Sequence, residues 1–139
     1  MAQVIEFFSN HPYLLAGLVG ALAFVVVAEV RHRIGPSGLS TADVVRLIND
    51  EDAVVIDIRE SGEYKSGHII NAKNLPMARL LDEIGRVAKN KSKPVILYCK
   101  TGSQSAAACQ SLVKAGYEKA AYIKSGLYSW QDSNLPTEK

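Results

Sequence analysis

Val95-Ile96-Leu97-Tyr98-Cys99-Lys100-Thr101-Gly102-Ser103-Gln104-Ser105, running on into Ala106-Ala107-Ala108, is the stretch whose reading decides the fold. Val95 to Tyr98 is a continuous apolar run after Pro94, the pattern of a strand buried on both faces. The strand ends at a cysteine, a short loop follows, and residues 104–115 suit a helix. Two further runs have the same character: Ala53 to Ile58, which holds Val54, Val55 and Ile56, and Ala120-Ala121-Tyr122-Ile123, which ends at Lys124-Ser125-Gly126. Ser40-Thr41-Ala42-Asp43 reads as a capping sequence for a helix carrying Val44, Val45, Leu47 and Ile48 on one side. Residues 77–89 and 127–131 are also helix-compatible. Strands alternating with helices predict an α/β domain with a mainly parallel central sheet flanked by helices. Its ligand belongs beyond the carboxyl ends of the strands.

The cysteine in that loop has a chemical setting. A side chain that leaves a buried parallel strand and precedes a helix lies where successive backbone N–H groups and the helix N-terminus converge, and both favour an anion. A thiolate is the nucleophilic form of cysteine, and such surroundings lower its pKa. Gly102 permits the tight loop, while Lys100, Thr101, Ser103, Gln104 and Ser105 supply a charge and polar groups suited to a small oxyanion. Taken alone, Cys-x-x-Gly after a strand also fits a cysteine that is merely packed there. Cys109 lies ten residues further on, about 15 Å along a fully formed helix, and reads as a core residue. Two cysteines make at most one disulfide, so they form no secreted disulfide framework. His11, His32 and His68 have no metal-ligand spacing, so neither metal nor cofactor is expected.

The chain of 139 residues has room for one domain of ordinary size and a short appendage. Its 47% apolar content argues against disorder, and a net charge of +2, all of it in residues 35–139 and spread over many Lys and Arg, gives no case for nucleic acid. Charge is nevertheless unevenly placed. Phe7 to Ala28 holds no Asp, Glu, Lys or Arg, and Tyr13 to Ala28 is almost entirely Leu, Ala, Gly and Val. About 20 such residues in a helix span a bilayer. Pro12 suits the first helical turn, Phe7, Phe8 and Tyr13 suit one interface, and Glu29 with Arg31-His32-Arg33 suits the other. A buried core helix would show an amphipathic stripe, and a cleaved signal would have a basic start; neither is present. The expectation is an uncleaved anchor with the N-terminus outside, since Arg31 and Arg33 follow the span. Gly17 and Ala21 form a small-xxx-small pair that is weak evidence for helix pairing.

Beyond the anchor, residues 40–136 resemble a single-domain rhodanese, of the thiosulfate:cyanide sulfurtransferase family. The resemblance rests on Val55-Ile56-Asp57-Ile58-Arg59, Glu63-Tyr64 with Gly67-His68-Ile69, Ala72-Lys73-Asn74-Leu75-Pro76, Leu97-Tyr98-Cys99 with Gly102 and Ser105, and Lys124-Ser125-Gly126-Leu127 with Trp130 and Leu135-Pro136. It implies a rhodanese-like sheet and a bacterial inner-membrane arrangement: a tail at 1–12, a transmembrane helix at 13–30, a linker at 31–38 and a cytoplasmic domain at 39–139. It also implies that Cys99 is the sulfur-accepting nucleophile and that the loop to Ser105 cradles a persulfide. Asp57 and Arg59 are expected to be structural, in a salt bridge involving Glu63 or Glu60, and His68 to stabilise a turn. Trp130, Leu135 and Pro136 close the core.

The family often carries arginine near the position of Gln104, a departure that bears on thiosulfate affinity and not on the nucleophile. Related phosphatases need Cys-x5-Arg to clamp phosphate oxygens; position 105 is Ser, which argues against phosphoryl transfer. The expected function is transfer of sulfane sulfur from thiosulfate or a persulfide to cyanide or a thiol, with a sulfur-acceptor protein as one candidate partner. The alternative is a membrane-tethered adaptor or sulfur-relay module with little turnover on thiosulfate.

Overall fold

Pro12 opens the long apolar helix that the sequence predicts, because proline has no N–H to leave unpaired in a first turn. In the computed structural model, which describes residues 1–33 and 37–139, α1 spans Ala2–Asn10 and α2 spans Pro12–Arg33. These belong to one compact unit, Met1–Gly35; the second is Pro36–Lys139. Pro12–Val30 is 19 residues long, apolar enough to cross a membrane and not buried in protein. Its helical length is about 28 Å, close to the hydrocarbon thickness of about 30 Å. The stretch read as a simple tail is itself helical, and Phe7 packs on Phe8 and His11 at centroid distances of 5.7 and 5.1 Å.

The linker expected at 31–38 is revised at both ends. Residues 31–33 continue α2, residues 34–36 lie outside the described residues, and residues 37–39 form strand β1 (Ser37–Leu39). With only Leu39 apolar, β1 carries no period that a sequence reading can detect. Pairing with a neighbouring strand creates it.

The rest of the second unit alternates as expected. Helix α3 (Thr41–Glu51) is capped by the Ser40 hydroxyl, which accepts from the Asp43 amide at 3.2 Å, and ends at Asp52 in the left-handed region. Then come β2 (Val54–Asp57), α4 (Ser61–Ser66), β3 (His68–Ile69), β4 (Lys73–Asn74), a 3-10 turn (Met77–Arg79), α5 (Leu80–Val87), β5 (Val95–Tyr98), α6 (Ser103–Lys114), β6 (Ala120–Ile123), α7 (Gly126–Asp132) and β7 (Thr137–Glu138). The single helix expected at 77–89 is thus a tight turn followed by a shorter helix, with Arg79 (φ −112°, ψ 0°) between them.

Five strands form one parallel sheet in the order β1-β6-β5-β2-β4, and β3 pairs antiparallel with β7. Central strand β5 shows why a parallel sheet reads as an unbroken apolar run. Val95, Leu97 and Cys99 face a core that holds Leu80 and Ile84 of α5 and Ala108, Cys109 and Leu112 of α6. Ile96 and Tyr98 face the opposite core, with Val44 of α3 and Leu127 and Trp130 of α7. Alternation along a strand sends neighbours to opposite faces, so two covered faces demand apolar residues at every position. Full burial of each such Leu or Ile side chain contributes about 1.5–3 kcal/mol.

The order of strands also locates a crevice. From β2 the chain moves outward to β4, and from β5 it moves the other way to β6. The connections therefore diverge between β2 and β5, the switch point at which open α/β sheets take ligands. Arg59 follows β2 there, and Cys99 follows β5.

Candidate active site

The register Asp57↔Tyr98 places the two strand ends side by side. Cys99 leaves β5 with its side chain 3% exposed. Three residues later Gly102, at φ +96°, turns the chain into α6. A Cβ there would meet the Ile123 carbonyl oxygen at 3.2 Å and the Ser125 nitrogen at 3.1 Å. Glycine is needed both for the left-handed backbone and for that approach.

Helix α7 holds the loop from the other side. The Leu127 amide donates to the Cys99 carbonyl at 2.9 Å and the Tyr128 amide to the Lys100 carbonyl at 3.5 Å. In a trans peptide the N–H points opposite to the C=O. Tying the carbonyls toward α7 therefore turns the following amides back into the loop. The Gly102 amide donates to the Cys99 Sγ at 3.0 Å. As a thiol, Cys99 donates to the Ser105 hydroxyl at 3.6 Å, and that hydroxyl donates to the Gly102 carbonyl at 2.9 Å. Burial pushes the Cys99 pKa up, but the Ser105 hydroxyl and the amides of Ser105, Gly102 and Thr101 outweigh it, leaving the pKa below that of an ordinary thiol.

Residues singled out from the sequence divide by where they lie. Cys99, Lys100, Thr101, Ser103 and Gln104 line one cavity of about 290 Å³ together with Arg59 and Glu63. Gly102 and Ser105 are buried behind the sulfur. Asp57 is fully buried beneath the site and pairs with Arg59, whose Nε reaches both carboxylate oxygens at 3.0 Å and whose Nη2 donates at 2.7 Å. The ion pair of Arg59 is thus with Asp57, where the sequence reading placed Glu63 or Glu60. Desolvation pushes the Arg59 pKa down, but Asp57 more than restores it and the guanidinium stays charged.

Burial and the nearby Asp57 push the Tyr98 hydroxyl well above its ordinary pKa; it accepts from the Ile69 amide at 3.1 Å. His68 lies away from the cavity, with Nδ1 2.8 Å from the Tyr64 carbonyl oxygen, Nε2 3.3 Å from Glu138, and its ring stacked on Tyr64 at 3.7 Å. Cys109 is fully buried in α6, and burial pushes its pKa up to about 12. No group of three or more His, Cys, Asp or Glu side chains placed to hold a metal occurs among the described residues.

Two neighbours were not found from the sequence. Glu63 of α4 joins the wall of the Cys99 cavity. Tyr128 of α7, 55% exposed, lines an adjacent cavity of about 260 Å³ that shares Arg59, Glu63 and Lys100. The signature containing Glu63 was visible, but its facing Cys99 depends on the β2–β5 register. For Tyr128 there is no local signal.

The family model for the rhodanese-like domain matches residues 40–133. The chain belongs to the rhodanese family. YibN, an uncharacterized protein of Escherichia coli K12, is 33% identical over 138 residues, covering 98% of this chain and 96% of its own. That relative therefore aligns with the N-terminal helical unit as well as the domain. The thiosulfate sulfurtransferase GlpE of Coxiella burnetii is 31% identical over 93 residues, 67% of this chain and 85% of GlpE. The crystal structure of a rhodanese-related protein from Thermoplasma volcanium superposes with a TM-score of 0.65 at 26% identity, covering 73% of this chain and 97% of that one. At the level of the family, these rhodanese relatives support a sulfurtransferase-like enzyme.

Proposed function

We propose that this rhodanese carries sulfane sulfur on Cys99, taking it from thiosulfate or a persulfide and passing it to cyanide or a thiol, at the inner face of a bacterial cell membrane. The observation that carries the reading is the Gly102 amide 3.0 Å from the Cys99 Sγ, in a loop where the Thr101 and Ser105 amides also favour the thiolate. In the first half-reaction the thiolate attacks the outer sulfur of thiosulfate. A Cys99 S–S bond forms, the sulfur–sulfur bond of thiosulfate breaks, and sulfite leaves with the bonding pair. In the second, an acceptor attacks the outer sulfur of the persulfide, and the Cys99 thiolate departs. This is covalent, ping-pong catalysis, and the loop amides stabilise the anion at both stages. Lys100, Thr101, Ser103 and Gln104 contact the small anion, and Gly102 and Ser105 shape the cradle. Asp57, Arg59 and His68 hold the framework.

Residues 13–30 form the anchor, with residues 1–12 outside and 39–139 in the cytoplasm. Apolar length and the following Arg31 and Arg33 support this.

The test is intact mass of the full chain in detergent after exposure to thiosulfate. Gain of one sulfur, lost again on adding cyanide and absent in Cys99→Ser, is the expected result. No gain, under conditions that load a control sulfurtransferase, would remove the donor chemistry and favour the adaptor. A Cys99→Ser chain that still makes thiocyanate at the parental rate would remove the nucleophile.

A further inference from the structure

Residues 1–12, expected as a plain tail, carry a helix whose two sides differ. At about 100° per residue, Phe7, Val4, Phe8 and Ile5 fall on one half of α1, and Gln3, Glu6, Ser9 and Asn10 on the other. This is the segregation of a helix that lies at the boundary of two phases. Among the described residues none of α1 is buried and no side chain caps its start, and Val4, Ile5 and Phe7 are 56%, 69% and 51% exposed. A nine-residue helix without a cap or a packed face is marginal in water. Nor does it lengthen the span. Pro12–Val30 already covers about 28 Å of a hydrocarbon core of about 30 Å, and α1 in line with it would add about 14 Å carrying Glu6 and Asn10. The helix breaks where the two would join. The residue before a proline is steered out of the helical region, and His11 is at φ −131°, ψ 62°. Its ring lies 5.1 Å from that of Phe7 and 5.9 Å from that of Tyr13, with Nδ1 3.3 Å from the Tyr13 hydroxyl oxygen. Aromatic rings with a polar edge gather at the headgroup level of a membrane.

Resting on the reading of residues 13–30 as a span, we infer that α1 lies along the bilayer surface at the N-terminal end of that span, with Val4, Ile5, Phe7 and Phe8 among the upper acyl chains and Gln3, Glu6, Ser9 and Asn10 in water. Its partner is the boundary between headgroups and acyl chains. Residues 1–12 hold no Lys or Arg, and the N-terminal amine offsets Glu6, so anionic headgroups add nothing and apolar burial supplies the attraction. Binding of α1 is therefore insensitive to salt and equal on zwitterionic and anionic lipid. The anchor has one arm across the membrane and one along its surface, and His11 and Pro12 make the corner.

The experiment scans a cysteine-attached nitroxide along residues 3–10 of the full chain, in a Cys99→Ser background, reconstituted in phosphatidylcholine vesicles. Cys109 is fully buried and stays unlabelled. Collision with oxygen, which concentrates in lipid, is compared with collision with a nickel chelate, which stays in water. The ratio is expected to swing with the helical period, high at 4, 5, 7 and 8 and low at 3, 6, 9 and 10. Phe8→Ser is expected to speed hydrogen exchange of the α1 amides about tenfold, the lower end of what burying one large apolar side chain contributes, and to leave α2 and the domain unchanged. An unchanged exchange rate in that variant overturns the inference. So does a scan with every position in water, every position in lipid, or an apolar face shielded from both reagents by a second copy or another protein. Nitroxides at Leu18 and Leu22 test the reading beneath it. Water at those two positions removes the span itself, whereas lipid there with no swing along 3–10 removes the surface helix alone.

Discussion

The Ser105 hydroxyl has a single proton and two acceptors competing for it. While Cys99 is a thiol, that proton goes to the Gly102 carbonyl and the Ser105 oxygen accepts from sulfur. Once Cys99 ionises, the hydroxyl can turn its proton to the sulfur, a charge-assisted bond about twice as strong as a neutral one. Ser105 therefore helps to hold the Cys99 pKa down against burial. Ser105→Ala removes that donor and leaves the amides, so the pKa is expected to rise toward the ordinary thiol value. Since the thiolate is the reactive form, the rise of alkylation rate with pH should move to higher pH in the variant. An unmoved midpoint would leave the amides as the whole cause. The position of Ser105 was legible in the sequence at a fixed offset from Cys99. The partner of Arg59 was not, because Asp57, Glu60 and Glu63 all lie within reach along the chain. Only the fold shows that Asp57 is the one buried against the guanidinium.

Between elements, the tightest constraint is the crossing of the β6–α7 turn over the Cys99 loop. Gly126, at φ +54°, passes so close that a Cβ would collide with the Cys99 carbonyl oxygen and stand 2.9 Å from the Lys100 carbonyl carbon and oxygen. Those are backbone atoms and cannot rotate aside. Gly126→Ala combines a left-handed backbone, roughly 1–2 kcal/mol, with overpacking, roughly 1–3 kcal/mol. It is expected to lower stability by about 2–5 kcal/mol in chemical denaturation and to reduce sulfur loading of Cys99 as the loop shifts. Gly85 supplies the contrast: it is exposed within α5, and a Cβ there meets nothing within 4 Å. Gly85→Ala should raise stability by about 0.5–1 kcal/mol. The same contrast explains which elements could be read from the sequence. Strands β2, β5 and β6 declare themselves because two covered faces select long apolar runs, and α3 because Ser40 and Asp43 cap it. Strands β1, β3, β4 and β7 have only two or three residues, too few for any period. Their conformation is set by the neighbour each one pairs with.

For the whole molecule, the question is where a bilayer would put the site. Pro12–Val30 has the length and composition of a span, and Arg31 and Arg33 follow it while Glu6 is the only charged side chain before it. Arginine next to a span is retained on the cytoplasmic side, and the domain begins a few residues later. In the orientation we propose, the Cys99 thiolate would work in a compartment where thiols stay reduced. Replacing Arg31 and Arg33 with Gln and inserting two Lys before Tyr13 reverses the charge bias without touching the domain. For the parental chain, a reporter fused after Lys139 that is active only outside the cytoplasm is expected to be silent, and in the reversed chain it should gain activity. A parental fusion active outside would place the domain beyond the membrane. Cys99 would then face oxidising surroundings, where a low-pKa thiol is readily oxidised, and the sulfur-carrier reading would need a reducing partner at that face.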